Sequence, residues 1–461
     1  MVLGAWTVAS VVHALPDHLN HTVERAPTVA FRSNLDEHGT DYSDIWGYTA
    51  PDGREYALLG LYDGVAVINV TDRANPYEAG YLHRSESHWR DIKTFGHYAY
   101  CVNETASGLG VIDLSDPENP YARAPIRDFV RAHNLYVDEA SATLYVAGWN
   151  GHGVRIYTLA DPAKPEFLST WNTAYAHDVM VQDGRMYVSA INGPAKLHIV
   201  DVSDPSNLVA LGTVQYPNAK THNAWVTPDG THVMTTDEMV GGTCQFWDVT
   251  DPTHPVFADI YRPNVNTIPH NALIRGHLAF ISHYELGVRV VDVTNRTAIR
   301  EVGAYDTHPE SDYGSFQGAW GVFPFFPNSP RLFVVSDIDK GLFVFELMFD
   351  PAYDERGGAR DPAVDPAPSV SLARASRNPM RSGDTSDFAF ALPNAGFVTA
   401  RVVDVGGRLV RSLTSAGMPP GVHRLTWSGT DGAGSPVAAG TYYLVVRTPW
   451  GTTTCPTTVL R

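Results

Sequence analysis

Seven stretches of this chain share one frame, and a frame recurring about every 44 residues constrains the fold more than any other feature. Five of them read WRDIKTFGHYAYCV, HNLYVDEASATLYVA, HDVMVQDGRMYVSA, HNAWVTPDGTHVMTT and HNALIRGHLAFIS. Two more, WGYTAPDGREYALLG and WGVFPFFPNSPRLFVVS, put tryptophan first. Aligned on their openings, they set Trp46, Arg90, His133, His177, His222, His270 and Trp320 at one equivalent position. Four consecutive repeats therefore place a histidine at the same spot of a repeated architecture.

Each unit goes on to a second signature, as in GVAVINVTDRANPYEAGYL, KLHIVDVSDPSNLVALGTV and GVRVVDVTNRTAIREVGAY. The β-branched and aromatic runs, bounded by Gly, Asp and Pro, predict four short strands per unit. Four strands at this period predict the blade of a β-propeller, here seven-bladed and spanning residues 28–348. In the Asp-Pro turns the carboxylate closes an Asx turn and the proline stops the ladder, so these acids are read as structural. One or two carboxylates per turn also fall short of a calcium site. The last unit ends at GLFVFEL without a fourth strand, and the apolar run Thr28–Ser33 is expected to supply it, removing an exposed edge.

Residues 1–27 are read as a leader. Their apolar stretch is too short to span a bilayer, and Val12-His13-Ala14 is similar to a small-residue cleavage site, so secretion is expected. Residues 349–367, rich in Pro, Gly, Asp and Ala, read as a linker. From 368 to 461, runs such as VTARVVDV, HRLTWSG and TYYLVVRT alternate every second residue and predict a small antiparallel β-sandwich. The formal charge of −17 argues against nucleic acid as a partner. Cys101, Cys244 and Cys455 lie far apart in the repeat pattern and are expected to be buried, unpaired thiols.

Both halves resemble known families. DIWGYTAPDGREYALLGLYDG, THNAWVTPDGTHVMTTDE, GVRVVDVT and GAWGVFPF resemble the choice-of-anchor B family, secreted bacterial proteins built from LVIVD repeats. NPM, VVDVGGRLVRSL and GVHRLTWSGTDGAGSPVAAGTYYLVV are similar to the Ig-like domain of flagellar hook-capping proteins and to type IX secretion sorting domains. The resemblance implies a cell-surface or extracellular location and a secretion or anchoring machinery as partner of the C-terminal domain. It brings no established reaction.

The first strand of a blade lines the central channel, and the meander returns the end of the second strand beside its start, so the ring residues share one face with the loops after the second strands. Imidazoles from His133, His177, His222 and His270 are suited to a divalent transition metal such as zinc, copper, iron or manganese, with Asp178 orienting the rings. The same pattern also fits inter-blade hydrogen bonding, or a site for an anionic or polar ligand held by Arg90 and the imidazoles. Trp46 and Trp320 are expected to wall one side, and His283 to stand nearby. Three functional classes stay open: a surface interaction protein; a metal-dependent hydrolase or oxidase with Glu238 or Asp237 as proton acceptor; and a carbohydrate- or peptide-binding propeller.

Overall fold

A computed structural model describes residues 29–348 and, in the C-terminal part, 371–374, 380–381, 384–392, 396–404, 408–419, 421–448 and 451–460. The expected leader (1–27) and linker (349–367) lie outside the described residues. The chain divides into two compact units, Met1–Gly357 and Gly358–Arg461.

In the first unit every described strand belongs to one of seven four-stranded antiparallel sheets. Six are consecutive meanders. In the seventh, Val29–Leu35 pairs antiparallel with Gly341–Leu347, so the N-terminal strand stands where the last repeat lacks its own. The inner strands are Tyr42–Thr49, Arg90–Phe95, Asn134–Asp138, Asp178–Gln182, Thr221–Val226, Ala272–Arg275 and Ala319–Phe323. Each touches the next, and the last touches the first, which makes the arrangement propeller-like. Second and third strands such as Glu55–Leu61 and Gly341–Leu347 are buried along their whole length, whereas outer strands such as Val209–Val214 are largely exposed. That gradient explains why the middle strands read as continuous apolar runs and not as alternating ones.

The turns before the outer strands are built alike. Asp72, Asp116, Asp161, Asp204, Asp251 and Asn295 each accept the backbone N–H two residues on, at 2.9–3.2 Å. These are Asx turns, and they account for the conspicuous acids without a bound cation. Cys101 and Cys244 are buried free thiols, and Cys455 is buried as well.

The second unit pairs a three-stranded sheet (Ser371–Arg374, Ser386–Leu392, Gly421–Trp427) with a five-stranded one centred on Gly440–Thr448. Its core holds Phe388, Phe390, Val402, Trp427, Leu444 and Val459, the sandwich pattern of inward-facing alternate residues. Among the described residues no helix is long and apolar enough to cross a membrane.

Candidate functional site

The inner strands deliver their side chains in tiers. At the mouth, the rings of His133, His177, His222 and His270 form a row with centroids 3.9, 4.3 and 4.3 Å apart, and the Trp320 indole packs on His270 at 4.6 Å. Each histidine stands within two residues of the start of its inner strand, which is how one register becomes one row. One residue further along, Asp44, Asp91, Asn134, Asp178, Asn223 and Asn271 form a second tier, and two residues beyond that Trp46, Lys93, Tyr136, Trp225 and Phe323 form a third. Trp46, Tyr136 and Phe325 pack around Trp225, and the cavity left between the second and third tiers is about 20 Å³, room for roughly one water. The channel is plugged below the histidines, so the row is reached from its own mouth.

The row runs from open to closed. His133 and Glu104 are the accessible end; their side chains are 16% and 37% exposed, against 5% and 3% for His222 and His270. His133 Nδ1 lies 2.6 Å from Glu104 Oε1, and His270 Nδ1 lies 2.5 Å from the Trp320 carbonyl oxygen. A carbonyl only accepts, so Nδ1 of His270 carries the proton and its Nε2 keeps a lone pair. An ionised Glu104 imposes the same tautomer on His133. Nδ1 of His177 and of His222 is buried and falls short of full hydrogen-bond geometry among the described residues, although the backbone of His222 and of His270, respectively, stands close enough to favour the protonated ring.

Glu238 enters from the loop after a second strand. Its Oε1 accepts the Tyr284 hydroxyl at 2.6 Å and stands 3.7 and 3.8 Å from Nε2 of His222 and His270. Two sets of ligand atoms, His133/His177/His222 and His222/Glu238/His270, each lie within 4.8 Å of one another. Nitrogens sharing a metal at about 2.0–2.1 Å stand roughly 3.4 Å apart in a tetrahedron, so ring rotations on the order of an ångström would bring either set together. Burial is the main force holding His177 and His222 well below the usual imidazole range, with the neighbouring histidines adding to it; His270 is lowered to about 4, again chiefly by burial. Neutral imidazole is the form that can coordinate. Burial pushes the Glu238 carboxyl upward, opposed first by the Tyr284 hydroxyl.

Other residues of the sequence reading stand elsewhere. Trp46 is not in the histidine tier. Thr221 and Tyr42 face Asp237 and Leu61, and a bulge follows each, which makes Ser43 the counterpart of His222 and Trp46 the counterpart of Trp225. The first inner strand has eight residues against six, and its longer hairpin masked this register. Arg90 shares the register, yet its guanidinium donates to Leu61 O (3.2 Å) and Ser85 O (2.7 Å) and borders a separate cavity. Asp237 has its carboxylate filled by the Tyr216 hydroxyl, the Lys220 N–H and the Thr243 hydroxyl, so it is a structural acceptor and not a free base. Asp178 accepts from Asn134 and Asn223 in the second tier instead of orienting an imidazole. His283 is buried with both ring nitrogens lacking a hydrogen bond among the described residues, outside the two ligand sets. Tyr284 was not singled out from the sequence, because its role arises from a hydrogen bond to a loop of the neighbouring sheet. Around the closed end lies an apolar lip: Phe316 packs edge-on to Tyr284 at 5.3 Å, and Val240 and Tyr313 are exposed beside it.

Family models place LVIVD repeats at residues 88–122, 174–215 and 271–307, each covering one four-stranded sheet, and an FlgD Ig-like domain at 377–450. No curated protein matches the chain in sequence. Among solved structures the chain is similar to PorZ, described as an essential bacterial surface component of the type-IX secretion system of Porphyromonas gingivalis, at 13% identity and a TM-score of 0.48. That match takes in 93% of this chain, which spans only 60% of the length of PorZ. Kuenenia stuttgartiensis hydrazine synthase matches at 11% identity and a TM-score of 0.51, over 69% of this chain and 99% of that one; at such identity the likeness is one of fold alone. The RRP9 WD40 repeats match at 9% identity and a TM-score of 0.49, over 70% and 98%.

Proposed function

We propose that this chain is a seven-bladed β-propeller interaction protein, exported to the cell surface or beyond, whose histidine row holds a divalent transition metal at the channel mouth. The observation that carries the metal reading is the convergence of His133, His177 and His222 at the accessible end of a plugged channel, with ligand atoms within 4.8 Å. The carboxylates of the tier beneath them are engaged by Lys93, Asn134 and Asn223, which leaves the imidazoles as the nitrogen ligands nearest the mouth. The apolar lip fits a role in which a partner or ligand settles over the mouth. Export is read from the leader and from the C-terminal domain's similarity to anchoring and sorting domains, with carbohydrate, peptide or a small anion as ligand classes.

A second reading follows from Glu238. With a metal on His133, His177 and His222, a fourth position stays open and Glu238 stands beside His222, so the site would have the parts of a hydrolase or oxidase: three neutral ligands, a metal-bound water and a proton acceptor. With a metal on His222, Glu238 and His270 the carboxylate is itself a ligand and that role is gone. Elemental analysis of the full chain, purified without a polyhistidine tag and exposed to zinc, copper, iron and manganese, tests the metal. One equivalent, lost in the His177→Ala/His222→Ala double variant while the fold persists, is expected. No bound metal in the unsubstituted protein would reduce the row to inter-blade hydrogen bonding or a metal-free site. In the metal-loaded protein, Glu238→Gln separates the two readings: it keeps the metal in the first set and loses it in the second.

A further inference from the structure

Arg90 leads to a second site, independent of the histidine row. The cavity it borders has a volume of about 370 Å³ and is lined by Arg84, Arg90, Arg127, Asn103, Ser85 and Ser107, together with five further residues, none of them Asp or Glu. In a chain of net charge −17 this is a concentrated patch of opposite sign. The nearby acid Asp63 accepts the Tyr81 hydroxyl at 2.6 Å and lies 3.9 Å from Nδ1 of His83, a wall residue, so it offsets part of the positive charge without lining the cavity itself.

Two features mark the cavity as built for a ligand. Nε and Nη2 of Arg84 are buried and make no hydrogen bond among the described residues, a costly arrangement that an anion would relieve. Arg90, 2% exposed, is locked by the Leu61 and Ser85 carbonyls, so its planar fork is already fixed. The rim is strained as well: Ser107 has φ 103°, with its hydroxyl 2.5 Å from that of Ser85, and Gly108 follows at φ 66° where a Cβ would meet Ile126 O at 2.2 Å. Positive φ at a serine is tolerated only where the surroundings enforce it, and such strain gathers at binding sites.

We propose that this cavity binds a small molecule through an oxyanion group, a carboxylate, sulfate or phosphate that Arg84 and Arg90 grip with paired N–H groups while Arg127 closes the outer side. The volume lies at the low end for small-molecule sites, which fits a ligand of about monosaccharide or tricarboxylate size. The test is calorimetric titration of the full chain, in low-salt buffer, with inorganic phosphate, sulfate, citrate and glucuronate. At least one should bind at one equivalent, weakening as sodium chloride is added. Loss of a charge-assisted pair in Arg84→Gln should weaken binding about tenfold or more, and in the exposed Arg127→Gln about threefold. His177→Phe should leave it unchanged. The assignment is overturned if none of the four anions binds, if Arg84→Gln and Arg127→Gln both bind as the unsubstituted protein does, or if His177→Phe abolishes binding. Because Arg127 is exposed, its variant keeps the test decisive even if Arg84→Gln fails to fold.

Discussion

The first and second tiers of the channel come from neighbouring residues of the same strands, yet they are opposite in character. In the second tier the charged groups are all engaged: Lys93 bridges Asp44 at 3.1 Å and Asp91, the Leu135 N–H reaches Asp91 at 2.8 Å, and Asp178 takes both Asn134 and Asn223, while the amide oxygens of Asn134 and Asn271 are buried without a partner among the described residues. Even its one gap has a steric cause, since a Cβ on Gly321 would lie 2.5 Å from Asp44 Oδ1. In the first tier, by contrast, buried imidazoles are held neutral. Charges paired within a plugged interior hold sheets together; neutral imidazoles gathered at an accessible mouth are arranged so that a ligand can reach them.

The largest effect expected from breaking the comparison is at Lys93. Lys93→Met leaves Asp44 and Asp91 buried without their cation, which should lower unfolding free energy by about 3–5 kcal/mol in urea titration. A change below about 1 kcal/mol would mean that the second tier is not the ionic network described.

Acid should separate a buried histidine that lies outside both tiers from the second-tier Asp178. His283, buried beside the loop of Tyr284, has its imidazole lowered to about 3, mainly by burial and then by Arg289. Between that value and the ordinary 6.5 the unfolded chain binds a proton that the folded chain refuses, so stability falls as pH drops, from about 6.5 until about 3. Each unit of pH in that window is worth at most about 1.4 kcal/mol for this one group. Asp178, raised to about 7 by burial, acts in the opposite sense: its contribution is present at low pH and is lost as pH rises toward 7. Comparing His283→Phe with the unsubstituted protein isolates the histidine, and the variant's acid limb should be shallower by a few kcal/mol in total. Parallel curves would show that His283 is protonated in the folded state.

Much of this was legible in the sequence, for physical reasons that also explain the misses. Alternation and Asx-turn chemistry are local, so four-stranded units and their turns could be read directly, and the strand-deficient last unit pointed to Thr28–Ser33, which overlaps the strand Val29–Leu35 that completes it. The histidine row was legible because one register converts spacing into proximity. Trp46 was misplaced because a hairpin two residues longer slides the frame while keeping the aromatic pattern. Asp237 and Glu238, adjacent at a strand end, were indistinguishable as proton acceptors until three donors were seen filling the first and His222, His270 and Tyr284 surrounding the second. Where the Arg90 side chain turns depends on the Leu61 and Ser85 carbonyls, which no spacing rule encodes.

The sharpest contrast lies in two consecutive residues. Asp178→Leu removes the shared acceptor of Asn134 and Asn223, and leaving buried amide donors unpaired should cost about 2–3 kcal/mol. His177→Phe, next to it, removes a ring whose Nδ1 falls short of full hydrogen-bond geometry and replaces it with one of similar shape. A poorly satisfied buried polar atom is a penalty, so its loss offsets the change in packing, and the metal-free variant should stay within about 1 kcal/mol of the parent. Its bound metal should nevertheless be gone. If urea titration shows His177→Phe to be as damaging as Asp178→Leu, the imidazole is part of the satisfied scaffold and the row loses its claim to be a site. If stability holds and metal is lost, the imidazole nitrogens belong to the function and not to the fold.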